Sequence, residues 1–298
     1  MWSGLFSQIH QDIMAGRTVL PKLSTKTQAL MTALKDTSVS ILEYHNAIQQ
    51  DTELTNLVID YGRTARYYGG GQVDGLFDAL KFISRSELSS LVVLKNLKQL
   101  FIDPCPTSDH VVHKVWEDAL QQTALASAFS ARINECSAEI EVPCGLIETF
   151  QSQVGVLLII HYLMEQGLPE PTIQQVKDIP AHVATDLSVL MARHWQLGNE
   201  VVDSVHRAGL YEEFIDGDFT VLELVHMAKI VHYGDGVADL RSSMAFIKAV
   251  KNKVVSEPAE HFLQMVEGHA LMRYRALSSM LWNPVTFFRT EVKTATGE

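Results

Sequence analysis

Apolar residues recur at three- and four-residue intervals along almost the whole chain, and stretches alternating every second residue are nearly absent. The first spacing lines one face of a helix and the second one face of a strand, so an all-α fold with less than one strand pair is expected. The clearest case is Leu54, Leu57, Val58, Tyr61, Ala65 and Tyr68, which fall at i, i+3, i+4, i+7, i+11 and i+14. Asp51 supplies an N-cap for this helix and Gly69 a left-handed stop.

The same reading places a first helix over Ser3 to Ala15, a break at Leu20-Pro21, and helices opened by Ser24 and Ser38. Shorter helices are expected near Asp74 to Ile83 and Glu87 to Phe101. Asp103-Pro104-Cys105-Pro106-Thr107 cannot continue a helix, because proline lacks an amide hydrogen and restricts the residue before it. A boundary is expected there, with an N-terminal helical subdomain over 1–103 and a second over 104–298. Ser108 opens a long helix to about Cys136, rich in alanine. Another from Pro143 to Gln166 is apolar on most sides and reads as a central core helix. After Pro169 and Pro171, helices follow near Ala181 to Gln196, Asn199 to Ala208, Phe219 to His232, Leu240 to Lys253 and Ala259 to Leu281, with a frayed tail after Asn283-Pro284.

Charge and composition narrow the partners. With a net charge of -11, the chain repels a polyanion on average, which argues against nucleic acid. Residues 1–101 carry 10 basic and 9 acidic side chains and residues 102–298 carry 14 and 26, so the two parts present different surfaces. The longest apolar run, Val154 to Ile160, is far short of the ~18 residues of a membrane span. Neither that run nor the start Met1-Trp2-Ser3-Gly4 points to a membrane or a secretory route, and a cytoplasmic location is expected. Cys105, Cys136 and Cys144 are an odd set without a Cys-x-x-Cys pair, so buried or idle thiols are expected.

Chemistry-bearing patterns are sparse. Twelve histidines in an acidic chain suggest metal, yet there is no His-Glu-x-x-His and no His-Asp dipeptide. His110, His113 and Glu117 share a helical face at i, i+3 and i+7 and read as a solvated helix start; His226 and His232 read as one core and one surface residue. The chain lacks a nucleophile elbow, a P-loop and a dinucleotide fingerprint, and Gly69-Gly70-Gly71 reads as a helix cap. Arg63 and Arg66, beside Tyr67, form a candidate partner surface for an acidic protein or a phosphorylated ligand.

The order of these motifs resembles the HDOD domain, an all-helical relative of HD-type phosphohydrolases found in bacterial signalling proteins. The resemblance is carried by Leu20-Pro21-Lys22-Leu23, by Gln50-Asp51-Thr52-Glu53-Leu54-Thr55, by Tyr67-Tyr68-Gly69 and by the helix pair Val73 through Leu94, and extends more loosely to about residue 232. Against the related domains, Asp118 of Trp116-Glu117-Asp118 stands where the first metal-ligating histidine would be. Ser152 and Gln153 stand where the His-Asp pair would be, before Gly155. A further histidine is missing near Ala184 and Asp186, His206 remains from a His-His pair beside Arg207, and Lys229 falls at the last aspartate. Activating water on a phosphate ester needs a metal held by several histidines and carboxylates, and a serine, an amide and a lysine do not supply them.

The resemblance therefore implies a vestigial pocket of Asp118, Ser152, Gln153, Asp186, His206 and Lys229, holding no metal or cofactor, with Asp118 paired to Lys229, Arg207 or His206. It implies a non-catalytic signal-transduction module that binds a signalling protein or a small ligand. Two alternatives stay open at this point. One is a metal-dependent phosphohydrolase with ligands drawn from Asp118, His182, Asp186 and His206, and the other is a nucleotide sensor using Arg63, Arg66 or Lys229.

Overall fold

The structure, a computed structural model, describes residues 2–66, 72–105, 110–136, 147, 149–209, 211 and 216–281, without the side chains of 2–3, 65–66, 134–136 and 151–152. Among the described residues every regular element is helical. The first six helices are α1 (Trp2–Met14), α2 (Thr25–Lys35), α3 (Ile41–Gln49), α4 (Thr52–Arg66), α5 (Leu76–Ala79) and α6 (Arg85–Leu97), the last running into a π-helical turn, Lys98–Ile102. The long α7 spans Val111–Cys136. A second π-helical turn, Phe150–Val154, feeds α8 (Gly155–Glu165), and α9 (Ile173–Lys177), α10 (Ala181–His194), α11 (Asn199–Gly209) and α12 (Val221–Tyr233) follow. The chain closes with α13 (Val237–Ser242), α14 (Met244–Lys251), α15 (Ala259–Leu277) and a 3-10 turn, Ser278–Met280.

Local chemistry sets most of these boundaries. The Ser24 hydroxyl accepts from the Thr27 amide at the start of α2, and the Asp51 carboxylate accepts from the Leu54 amide at 3.0 Å at the start of α4. The expected start at Ser38 is corrected: Ser38 donates to Asp36, while Ser40 forms a capping box with Glu43 and opens α3. The expected Leu240 to Lys253 helix is two helices, because Ser243 turns to an extended conformation and caps α14 through the Phe246 amide. Only Leu76–Ala79 of the expected Asp74 to Ile83 segment is α-helical, and a short helix absent from the sequence expectations, α9, capped by Thr172, lies between Pro171 and Pro180. Ser108, Gly69 to Gly71 and Pro143 lie outside the described residues.

Helix α7 is the spine. Its first half, with Trp116 and Leu120 fully buried, belongs to the larger core cluster, together with Leu94, Ile102, Phe150, Leu157 and Leu187. Residues on both sides of Asp103 share that cluster. The second half of α7, with Leu125 and Phe129, packs with Leu224, Phe246, Phe262 and Val266 in a second cluster. Ala119, Ala124, Ala126 and Ala128 have no exposed surface, as expected where neighbouring backbones come close.

Two buried polar ties hold α15 across the bundle. The Trp116 indole donates to the Met280 carbonyl at 3.2 Å, and Arg273 donates to the Tyr61 hydroxyl at 3.0 Å and to Glu87 at 3.2 Å. Burial pushes the Tyr61 phenol up to about 12, so it stays protonated there. At the crossing of α8 and α10, Gly155 has no room for a side chain: a methyl would run into the Ala184 carbonyl. Its amide donates to the Ser188 hydroxyl at 2.8 Å. This glycine sets how closely the turn before α8 sits against α10.

Candidate functional site

Asp118 lies on α7 one turn past Lys114 and one turn before Gln122, so helical geometry puts all three on one side. The π-helical turn at Phe150–Val154 faces them, and the widened backbone there brings Gln153 to Asp118. From the other direction come His232 and Tyr233, the last two residues of α12.

Four donors close on the Asp118 carboxylate. The His232 Nε2 donates to Oδ1 at 2.6 Å, and Gln122 Nε2, Gln153 Nε2 and the Tyr233 hydroxyl each donate to Oδ2 at 2.8 Å. Burial pushes the Asp118 carboxyl up, but the hydrogen bond and charge of His232, then the Tyr233 and Gln122 bonds, outweigh it and hold the group below the usual carboxylate range. Gln122 is fully buried, and its amide also donates to the Tyr233 hydroxyl at 2.8 Å, leaving Oε1 without a hydrogen-bond partner among the described residues. A bond to a charged acceptor is about twice as strong as one between neutral groups, so supplying Asp118 prevails over satisfying the amide oxygen.

These residues open onto a cleft of about 740 Å³, within the size range of small-molecule sites. Lys114, Lys177 from α9 and Lys229 from α12 line it with Asp118, Gln122, Gln153 and Tyr233, against a wall that includes Val156, Val176 and Ile179.

Of the residues implied by the resemblance, the fold therefore gathers Asp118, Gln153 and Lys229. The Ser152 side chain lies outside the described residues. Asp186, His206, Arg207 and His182 are exposed and are not part of the cleft lining, because their positions on α10 and α11 turn them to solvent. The expected partners of Asp118 are corrected in part: His232 pairs with it, and Arg207 and His206 are exposed on α11 outside the cleft lining. His226 and His232 are likewise not a core and a surface residue. Both are half-buried, His226 against the Tyr211 ring at 4.7 Å and His232 on Asp118. Sequence spacing carries a signal for Gln122, one turn from Asp118, but none for a contact 114 residues away.

Other candidates disperse. His110 pairs with Glu170 at 3.0 Å, His113 is buried against the Cys105 carbonyl at 2.9 Å, and Glu117 accepts from Tyr274 at 3.4 Å, so the three share no centre and are not a solvated helix start. Arg63 is exposed and pairs with Asp60 at 2.9 Å on its own helix; the Arg66 side chain and Tyr67 lie outside the described residues. Cys105 is a buried free thiol whose ionisation burial opposes, and Cys144 and the Cys136 side chain are not described.

The donor set does not suit a metal ion. Of the four groups on Asp118 only His232 is a common ligand of a hydrolytic metal, and its Nε2 is spent on Oδ1, while two neutral amides and a phenol are weak ligands. Among the described residues no three His, Cys, Asp or Glu side chains converge where they could hold one.

The all-helical architecture is shared with solved structures of low sequence identity. A candidate metal-dependent phosphohydrolase from Shewanella amazonensis SB2B superposes with a TM-score of 0.65 at 16% identity, over 91% of this chain and 98% of that one. An HDOD domain protein of unknown function from Geobacter sulfurreducens gives 0.62 at 14% identity, over 93% of this chain and 97% of that one. No curated protein matches the sequence significantly. The family model for the HDOD domain matches residues 20–208, and the chain belongs to that family.

Proposed function

We propose that this chain is a non-catalytic regulatory module of bacterial signal transduction, cytoplasmic, which acts by binding a protein or a small ligand and not nucleic acid. The observation that carries the reading is the set of hydrogen bonds on Asp118, the residue the resemblance aligns with a metal ligand, from His232, Gln122, Gln153 and Tyr233. Hydrolysis there would need a metal-activated water, and the groups gathered around this carboxylate, two neutral amides and a phenol with one histidine, are not the several histidines and carboxylates that hold such a metal. The family membership supplies the setting, and the cleft supplies a surface on which binding without turnover can act. The parts 1–103 and 104–298, one near neutral and one acidic, give the module two different faces.

Turnover is the test. Nucleotides and cyclic dinucleotides incubated with the full chain and manganese stay at background, and hydrolysis that disappears in Asp118→Ala overturns the proposal.

A further inference from the structure

The described lining of the cleft at Asp118 runs against the charge of its part of the chain. Residues 102–298 carry 26 acidic against 14 basic side chains, so a random cleft in this part would be lined mostly by carboxylates. Its described lining instead holds three lysines and one carboxylate. The lysines come from three separate elements, Lys114 from α7, Lys177 from α9 and Lys229 from α12, so the excess is not a run in the sequence. Asp118 accepts from His232 and three further donors. Lys114 and Lys177 form no ion pair among the described residues, although ion pairs are common elsewhere in the molecule, as at Lys81–Asp78 and Lys251–Asp216.

Beside these charges stands an apolar wall that includes Val156, Val176 and Ile179. Resting on the reading of the cleft as a binding site rather than an active one, we propose that it takes a small amphipathic organic anion, with its head among the lysines and its apolar body on that wall. Ammonium groups are compact point charges on flexible stems and do not impose the planar fork that arginine would. They accept a carboxylate or a phosphate head alike, and the low-dielectric wall strengthens their attraction while the apolar body leaves water. Inorganic phosphate has no such body and would gain only the weak, salt-screened part of the interaction.

Calorimetric titration of the full chain at low ionic strength tests this, with decanoate and decyl phosphate as probes below their micelle concentrations. Decanol, decyltrimethylammonium and inorganic phosphate are the comparisons. One or both decyl anions are expected to bind saturably at one equivalent, at least tenfold tighter than decanol or the decyl cation, with no saturation by inorganic phosphate. Which head binds tighter separates a carboxylate ligand from a phosphate one. Lys114→Gln with Lys177→Gln, both at exposed positions that should not disturb folding, should lower the affinity at least tenfold. Lys81→Gln, at an exposed pair with Asp78, should leave it unchanged. Anion binding no tighter than decanol, or unaffected by the double substitution, overturns the proposal. That result leaves the non-catalytic reading standing, since it depends on turnover and metal content rather than on anion affinity.

Discussion

His232 Nε2 donates to Asp118 Oδ1 at 2.6 Å, joining the end of α12 to the second turn of α7 across 114 residues. The contact makes Asp118 a structural keystone as well as a cleft residue. Removing the carboxylate leaves His232, Gln122, Gln153 and Tyr233 without their common acceptor. Asp118→Ala should therefore lower stability by about 2 kcal/mol, the scale of bonds to a charged group, since the side chain is partly solvated and the lost donors recover some water. Urea unfolding measures it, and an unchanged midpoint would mean that the four bonds contribute nothing net.

Gly155→Ala tests the close approach of α8 and α10. The added methyl meets the Ala184 backbone, which cannot rotate away as a side chain would. A loss of about 3 kcal/mol or more is expected, at the upper end for overpacking. A melting temperature equal to the parent's would show that the helices can separate without cost.

Much of this fold was legible because helix faces announce themselves locally. The i, i+3, i+4 pattern and the Asp51 cap marked α4, and the apolar run from Gly155 marked the buried α8. Helix ends set by competing serines were not, as Ser38 and Ser40 show, since both suit a cap and only the Glu43 partner decides. The site was half legible. Motif order brought out Asp118, Gln153 and Lys229, whereas His232, Tyr233, Lys114 and Lys177 reach the cleft only through tertiary packing. Asp186 and His206 rest on the family resemblance alone, and the faces of α10 and α11 turn them outward.

The Glu223–Lys248 pair, 2.7 Å apart with both side chains under a tenth exposed, ties α12 to α14. Burial raises the Glu223 carboxyl, but Lys248 and the Thr220 cap outweigh it and lower the group below its usual range. Its contribution is therefore present at neutral pH and lost as pH falls through that lowered value. Lys248→Met should cost about 3 to 5 kcal/mol by leaving a buried carboxylate without its cation, and adding Glu223→Leu should restore most of it. A double variant no better than the single one would contradict the pairing.

His269 on α15 is buried, and desolvation, with Arg273 and Arg132 nearby, brings its pKa down to about 4. The folded state then binds fewer protons than the unfolded chain between the ordinary histidine value near 6.5 and about 4. Stability should fall across that window by up to about 3 kcal/mol and level off below it. Chemical unfolding at a series of pH values, with His269→Gln losing this part of the slope, checks the sign.

Metal content measures the central claim most directly. The full-length protein, expressed with manganese, iron and zinc in the medium and dialysed, should contain well under one equivalent of any of them by elemental analysis, and Asp118→Ala should contain no less. One equivalent of a transition metal in the parent that is lost in Asp118→Ala would contradict the account, because the carboxylate would then serve as a ligand in a set argued not to suit an ion.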